Sequence, residues 1–231
     1  INMTDFETLI KQNGVSSYND RWHPHNVDVF KELISQGILS DIQQNVLSNI
    51  AYNLQYLEYL QLQIDELKLH SIISCLLYKT YIVTTMSIIE AIFNQAIKCS
   101  NKWPKTDGWT LNRIIKSNEY NENNKNYYIE THIMIKEEPQ DKELDFSTVI
   151  NRVKDKNILD LNNEHFPDLS KLRKLRNRVH LQIGESRTDT DYYQFQYEDV
   201  ELAKKTLYCV LTDTKIMENQ ENKCFIDFLN T

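Results

Sequence analysis

Residues 72–98 form an apolar segment that is too long for a strand and, wound as a helix, is apolar on almost every face. Such a helix must be surrounded by other apolar surfaces, so the segment predicts the central helix of a helical domain. Gly and Pro number only four each in 231 residues, whereas the turns of β-sandwiches and barrels use both residues heavily. The sequence therefore predicts a mainly α fold.

The rest of the chain shows the spacings of three, four and seven that are typical of amphipathic helices. Short helices are expected over 4–12 and 26–36, followed by a long helix that starts from an N-cap at Ser40. Alternation of apolar and polar residues predicts strands near 127–136 and 192–197, which should pair because a lone strand leaves its backbone unbonded. Further helices are expected over 109–117, 146–154, 168–183 and 198–217.

These elements predict three parts of the chain. Residues 1–37 form an N-terminal helical extension, and residues 38–217 form a helical domain that carries a small accessory two-stranded β element. The polar stretch 118–126 is expected to be a loop. The tail, 218–231, is polar and then apolar, so it either folds back or contacts a partner.

The charge and the cysteines limit the classes of function. A net charge of −7 disfavours a protein that coats duplex nucleic acid with its whole surface. The four cysteines lack CxxC spacing, and His23 and His25 of "WHPH" have no nearby third ligand. Neither a metal site nor a cofactor is expected. The absence of a signal segment, and of an uninterrupted apolar run long enough to span a bilayer, favours a cytoplasmic protein with no membrane partner.

Glu90 is the single acid of the apolar segment, and two interpretations remain open. It is either an exposed residue near the less buried end of the helix, or a buried carboxylate paired with a cation from another helix. An unpaired buried carboxylate would be costly, so the second interpretation requires such a cation.

The segment "KLRKLRNRVHLQ", residues 171–182, contains five cations and His180 within ten positions. On one helix, Arg173, Arg176 and His180 would share a face, while Leu172, Leu175 and Val179 would point to the core. Guanidiniums beside an imidazole suit a phosphodiester, because the cations stabilise its charge and the imidazole transfers protons. An amphipathic helix with a solvated basic face explains the same pattern without any function.

"LRKLRNRVHLQ" resembles the signature helix of the HEPN superfamily, in which four to six residues separate an arginine, often followed by a polar residue such as asparagine, from a histidine. "TTMSIIEAIFNQAI" is similar to the second helix of such bundles, and the resemblance covers roughly 40–217. It implies an antiparallel helical bundle, a homodimer and a metal-independent endoribonuclease of bacterial toxin–antitoxin or antiviral systems. An antitoxin or another defence protein is then a possible partner.

Carried onto this chain, the resemblance makes His180 the catalytic acid and base. Arg176 or Arg173 binds the phosphate, since three residues separate Arg176 from His180 and six separate Arg173 from it. Asn177, Arg178 and Lys174 become substrate-binding residues. A composite site between two copies would form 2′,3′-cyclic phosphate ends on RNA. The alternative is an inactive HEPN-like module for dimerisation, RNA binding or regulation, which the short Arg176–His180 spacing favours.

Overall fold

The computed structural model describes residues 22–179, 187 and 189–230. The chain divides into two compact units: a helical unit, Ile1–Asn101 with Asp145–Thr231, and a strand unit, Lys102–Leu144. The described residues are mainly helical with a small antiparallel β element, so the predicted mainly α class is confirmed. The predicted helix over 4–12 lies outside the described residues.

The described part of the helical unit follows the predicted helices closely. Those expected over 26–36, 72–98 and 146–154 are present, and the last helix ends six residues before the predicted residue 217. The helices are α1 (Val27–Ile34), α2 (Gln44–Glu66), α3 (Ser71–Cys99), α4 (Phe146–Asp155), α5 (His165–Arg176), α6 (Asp191–Gln194) and α7 (Tyr197–Leu211), with 3₁₀ turns at Gly37–Leu39, Asn177–Val179 and Gln220–Leu229.

Helix α3 is the centre of the helical unit. It packs against α2, α4, α5, α6 and α7, and Tyr81, Ile82 and Phe93 are completely buried. By length and composition α3 is also apolar enough to cross a membrane, with a mean hydropathy of 1.6. The core helix of a soluble protein meets the same criteria. Packing against neighbouring helices covers most of α3 from Tyr81 onward, whereas Ile72, Ile73 and Leu76 in its first turns are about half exposed.

The start of α2 differs from the prediction. Ser40 does not cap this helix: it ends the 3₁₀ turn Gly37–Leu39, and Gln43 holds the N-cap position without a side-chain bond. Gly37 has a φ of 52°, and Ile38 N–H donates to the Lys215 carbonyl at 2.7 Å. A Cβ on Gly37 would collide with that carbonyl, so the turn requires glycine.

The strand unit contains a ladder where a helix was expected. Trp109–Lys116 is strand β1, not a helix, and it pairs antiparallel with β4 (Glu130–Lys136). The register shifts between Leu111 and Arg113. This bulge breaks the period of two, so the apolar residues Leu111, Ile114 and Ile115 have the spacings of three and four that imitate a helix.

A second hairpin occupies the predicted loop over 118–126. Strands β2 (Tyr120–Glu122) and β3 (Lys125–Tyr127) are joined by Asn123 and Asn124, which have φ values of 51° and 60°. Positive φ at both central residues is what a tight two-residue hairpin turn requires, and asparagine tolerates it better than most residues.

The strand predicted near 192–197 is wrong, and so is its pairing with 127–136. Asp191–Gln194 forms one helical turn, fixed to α3 by a Lys79–Asp191 ion pair at 2.7 Å. Gln196 and Asp199 then form a capping box that starts α7 at Tyr197. These two contacts hold the backbone in helical geometry, which excludes a strand here.

The C-terminal tail folds back. Its 3₁₀ turn, Gln220–Leu229, packs against α1 and α7 and buries Ile226 and Leu229. Of the two alternatives for the tail, the structure therefore shows the intramolecular one.

Replacing Gly37 with alanine should lower the free energy of unfolding by about 2–4 kcal/mol, because the new Cβ meets the Lys215 carbonyl in a strained conformation. Ser40→Ala is the matched control. It should change the stability by no more than about 0.5 kcal/mol, whereas a true N-cap would cost about 1 kcal/mol. Urea unfolding of both variants measures the difference, and equal losses would contradict this description of the turn.

Candidate functional site

The cationic segment does not continue as one α-helix. Helix α5 ends at Arg176, residues Asn177–Val179 form a 3₁₀ turn, and Arg178 departs from helical geometry with φ −78° and ψ 15°. The face shared by Arg173, Arg176 and His180 required an α-helix through residue 183, so that spacing argument is wrong for 177–179. His180 itself lies outside the described residues.

The change of helical period also corrects the predicted core face. Leu172 and Leu175 are buried as expected, but Val179 is exposed. A 3₁₀ turn advances each residue by a larger angle than an α-helix, which rotates Val179 away from the stripe of leucines.

Arg176 is the best positioned cation of the segment. Its Nη2 donates to Glu90 Oε2 of α3 at 2.5 Å, and its guanidinium lies 5.9 Å from the ring centre of Phe146 in α4. The Arg176 side chain is 31% exposed and that of Glu90 is 24% exposed. Glu90 is therefore paired with a cation from another helix, which decides between its two interpretations. The guanidinium is fixed by three helices and still reaches solvent.

Arg173 lies near a second carboxylate. Asp145 is the N-cap of α4, and its side chain accepts from the Thr148 backbone N–H at 2.8 Å. Hydrogen bonds from Thr148, with a smaller contribution from the charge of Arg173, hold the pKa of Asp145 below its usual value. Arg173 thus faces a carboxylate that is ionised at neutral pH.

Two more cations of the segment have carboxylate partners. Lys171 Nζ lies 2.6 Å from Asp199, the capping residue of α7, and Arg178 Nη2 lies 2.7 Å from Asp189 Oδ1. The Arg178 side chain is only 14% exposed. This ion pair joins the turn after α5 to the chain that precedes α6. Because its side chain is largely buried and bound to Asp189, Arg178 is poorly placed for the predicted contact with substrate.

The remaining two candidates, Lys174 and Asn177, are exposed at the surface of α5 and the turn that follows it. Together with Arg176, they are the predicted site residues within the described ranges that a solvent-borne anion can most readily reach. Most cations of the segment therefore lie beside a carboxylate. The groups that solvent can reach, those of Lys174, Arg176 and Asn177, lie together at the end of α5.

Sequence reasoning missed most of these partners. Asp145, Asp189 and Asp199 belong to elements that are separated from α5 in the chain or follow it after a turn, and no local spacing connects them to it. Glu90 carried the one usable signal, since a single acid in an apolar helix is either exposed or paired with a cation. Phe146 carried none.

His25 has a packing role that differs from an ordinary surface histidine. It is half-buried, and its Nδ1 lies 2.7 Å from Glu58 Oε1 of α2. Its ring also contacts Phe30 and Phe225 edge-on. Among the described residues, no group of three or more His, Cys, Asp or Glu side chains is placed to hold a metal ion.

No protein-family model, curated protein or solved structure matches this chain. The assignment to the HEPN superfamily therefore stays a prediction that depends on the residues quoted from the sequence.

The Glu90–Arg176 pair should contribute about 1 kcal/mol to stability, since both side chains are partly exposed and solvent screens the attraction. Glu90→Gln, Arg176→Gln and the double variant form a double-mutant cycle that isolates this coupling in urea unfolding. Lys174→Gln is the control and should change stability by less than about 0.5 kcal/mol. A coupling energy of zero would mean that Arg176 is not held by Glu90 in solution.

Proposed function

We propose that this chain is a HEPN-like, metal-independent endoribonuclease of the bacterial cytoplasm, active as a homodimer in a toxin–antitoxin or antiviral system. The observation that carries the proposal is the guanidinium of Arg176. It is held by Glu90 beside the Phe146 ring, reaches solvent, and precedes His180 by four positions. Lys174 and Asn177 are exposed nearby.

The geometry suits phosphate binding. A guanidinium carries five N–H donors, and Arg176 Nη2 uses one of them on Glu90, so the group retains donors for phosphate oxygens. The carboxylate fixes the orientation of the group before substrate arrives, and this preorganisation is what stabilises developing charge effectively. Between the two arginines left open by the sequence, these contacts favour Arg176 over Arg173 as the phosphate-binding group.

The reaction needs only proton transfer and charge stabilisation. The RNA 2′-oxygen attacks the adjacent phosphorus as its proton leaves, and the bond from phosphorus to the 5′-oxygen breaks as that oxygen gains a proton. The products are a 2′,3′-cyclic phosphate and a 5′-hydroxyl. His180 is the residue proposed to transfer the protons, because an imidazole titrates near neutral pH. Two copies of the segment would combine their positive charge at one site, which offsets the acidic character of the protein.

A second candidate function is an inactive HEPN-like module for dimerisation, RNA binding or regulation. The observation that favours it is the neutralisation of the segment: Lys171, Arg176 and Arg178 each pair with a carboxylate, and Arg173 lies near Asp145. If these cations only stabilise the fold, the chain would keep the HEPN-like sequence pattern without the catalytic activity.

Incubation of a mixed RNA pool in EDTA tests the first function directly. We expect the parent protein to cleave, and His180→Ala and Arg176→Ala each to lower the rate at least about 100-fold, as loss of an acid–base group or a charge-stabilising donor usually does. Lys174→Ala should lower it only severalfold, because an exposed lysine contributes mainly to binding. End-group analysis should find 2′,3′-cyclic phosphates.

The contrary outcomes are equally specific. Cleavage that survives the loss of His180 would remove the proposed catalytic residue. No cleavage by the parent, together with RNA binding that Arg176→Ala weakens, would support the inactive module.

A further inference from the structure

The β1–β4 ladder of the strand unit exposes apolar side chains on both of its faces. Within the part of the chain that the structure describes, this sheet has two strands, so the outer edge of β4 has no neighbouring strand. Trp109, Leu111, Ile115, Met134 and Ile135 are each 44–50% exposed. An isolated two-stranded ladder is marginally stable in water, and clustered exposed apolar residues indicate an interaction surface.

The register assigns these residues to the two faces. Directly opposed residues share a face, so Trp109 and Lys136, Leu111 and Met134, and Ile114 and His132 lie together. The opposite face pairs Thr110 with Ile135, Arg113 with Ile133 and Ile115 with Thr131. Each face therefore carries apolar side chains, with His132 on the first face and Arg113 on the second, and could continue across the edge of β4 into another strand.

Strand β4 is complementary to itself in charge. Its sequence is ETHIMIK, with Ile133 at the centre, Glu130 at one end and Lys136 at the other. Glu130 contacts Lys116 and His132 within its own ladder. An antiparallel copy related by a two-fold axis through Ile133 places Glu130 opposite Lys136 as well, at both ends. Since residues directly opposite share a face, both ion pairs lie on one face, and Ile133 meets Ile133 on the other.

Strand β1 lacks this property. Between Trp109 and Lys116 its charged residues are Arg113 and Lys116, with no carboxylate, so self-pairing along its outer edge would gain no ion pair. Lysines and other charges on an edge strand normally discourage pairing. The edge of β4 is thus the one of the two that matches a second copy.

We propose that β4 pairs antiparallel with β4 of a second copy of this chain about a two-fold axis at Ile133, giving the four-strand order β1–β4–β4–β1. The pairing bonds the open edge of β4 and extends both apolar faces across the axis. It uses a part of the chain separate from the cationic segment, so it is independent of whether the protein cleaves RNA.

A disulfide at the axis tests the pairing in the full-length chain. In a Cys224→Ser background, which removes an exposed thiol, Ile133→Cys should cross-link to itself because directly opposed Cα atoms lie about 4.5–5.5 Å apart. Paired strands raise the local thiol concentration to the order of millimolar. At a micromolar concentration of the protein, the disulfide should therefore form at least about tenfold faster than in the control variant. The control is Ile115→Cys on the same face of β1, because at least three strand spacings, more than about 14 Å, would separate the two thiols.

A charge exchange in the Ile133→Cys background shows which contacts set the register. Lys136→Glu places like charges opposite each other at both ends and should slow cross-linking severalfold, as should Glu130→Lys. Mixing the two variants restores both opposite-charge pairs, so the mixed disulfide should form at close to the parent rate. Lys142→Glu, the same charge change outside the strands, should have no effect.

Two results would overturn the proposal. One is a cross-linking rate for Ile133→Cys no higher than that of Ile115→Cys, which would mean that the charged ends of β4 serve to prevent pairing. The other is efficient cross-linking that neither charge reversal slows, which would mean that the two thiols meet without antiparallel pairing of Glu130 with Lys136.

Discussion

The burial of α3 is the constraint on which the helical unit depends. A helix that is apolar on nearly every face gains stability only when other helices cover it, and α2, α4, α5, α6 and α7 do so. Glu90 interrupts this surface with one charge. Since a partly buried carboxylate is more stable with a partner, the packing of α5 against α3 is favoured when a cation of α5 reaches Glu90. Arg176 does so, and the candidate site is therefore attached to the core of the fold.

Sequence patterns predict most of the described helices because their apolar stripes are long and regular. They fail where a local interaction changes the period. The bulge between Leu111 and Arg113 gives β1 a helical spacing, and the capping box of Gln196 and Asp199 starts a helix inside an apparently alternating segment. The 3₁₀ turn after Arg176 likewise exposes Val179. The prediction of helices and strands depends on the spacing of apolar residues, and that spacing does not reveal bulges, capping boxes or 3₁₀ turns.

The candidate site is predictable in part for a related reason. The cations of 171–178 are adjacent in sequence, so their clustering is visible without a structure. Their carboxylate partners come from α3, from the N-cap of α4 and from the chain around α7, and tertiary packing alone brings them to α5. Only the pairing of Glu90 was foreseeable, as one of the two interpretations of a single acid in an apolar helix, and the sequence did not specify the cation.

The carboxylate partners also determine which cations of the segment can still bind an anion. Arg178 is largely buried against Asp189, so a phosphate could bind it only by displacing a well-formed ion pair and leaving a carboxylate unpaired. Lys171 is exposed, but its ammonium is held by the residue that caps α7. Arg176 differs because its planar group is fixed by Glu90 on one side and remains open to solvent. An anion binding at the end of α5 would therefore meet a preformed donor at Arg176, flanked by the exposed Lys174 and Asn177, and would leave the ion pairs of Lys171 and Arg178 intact.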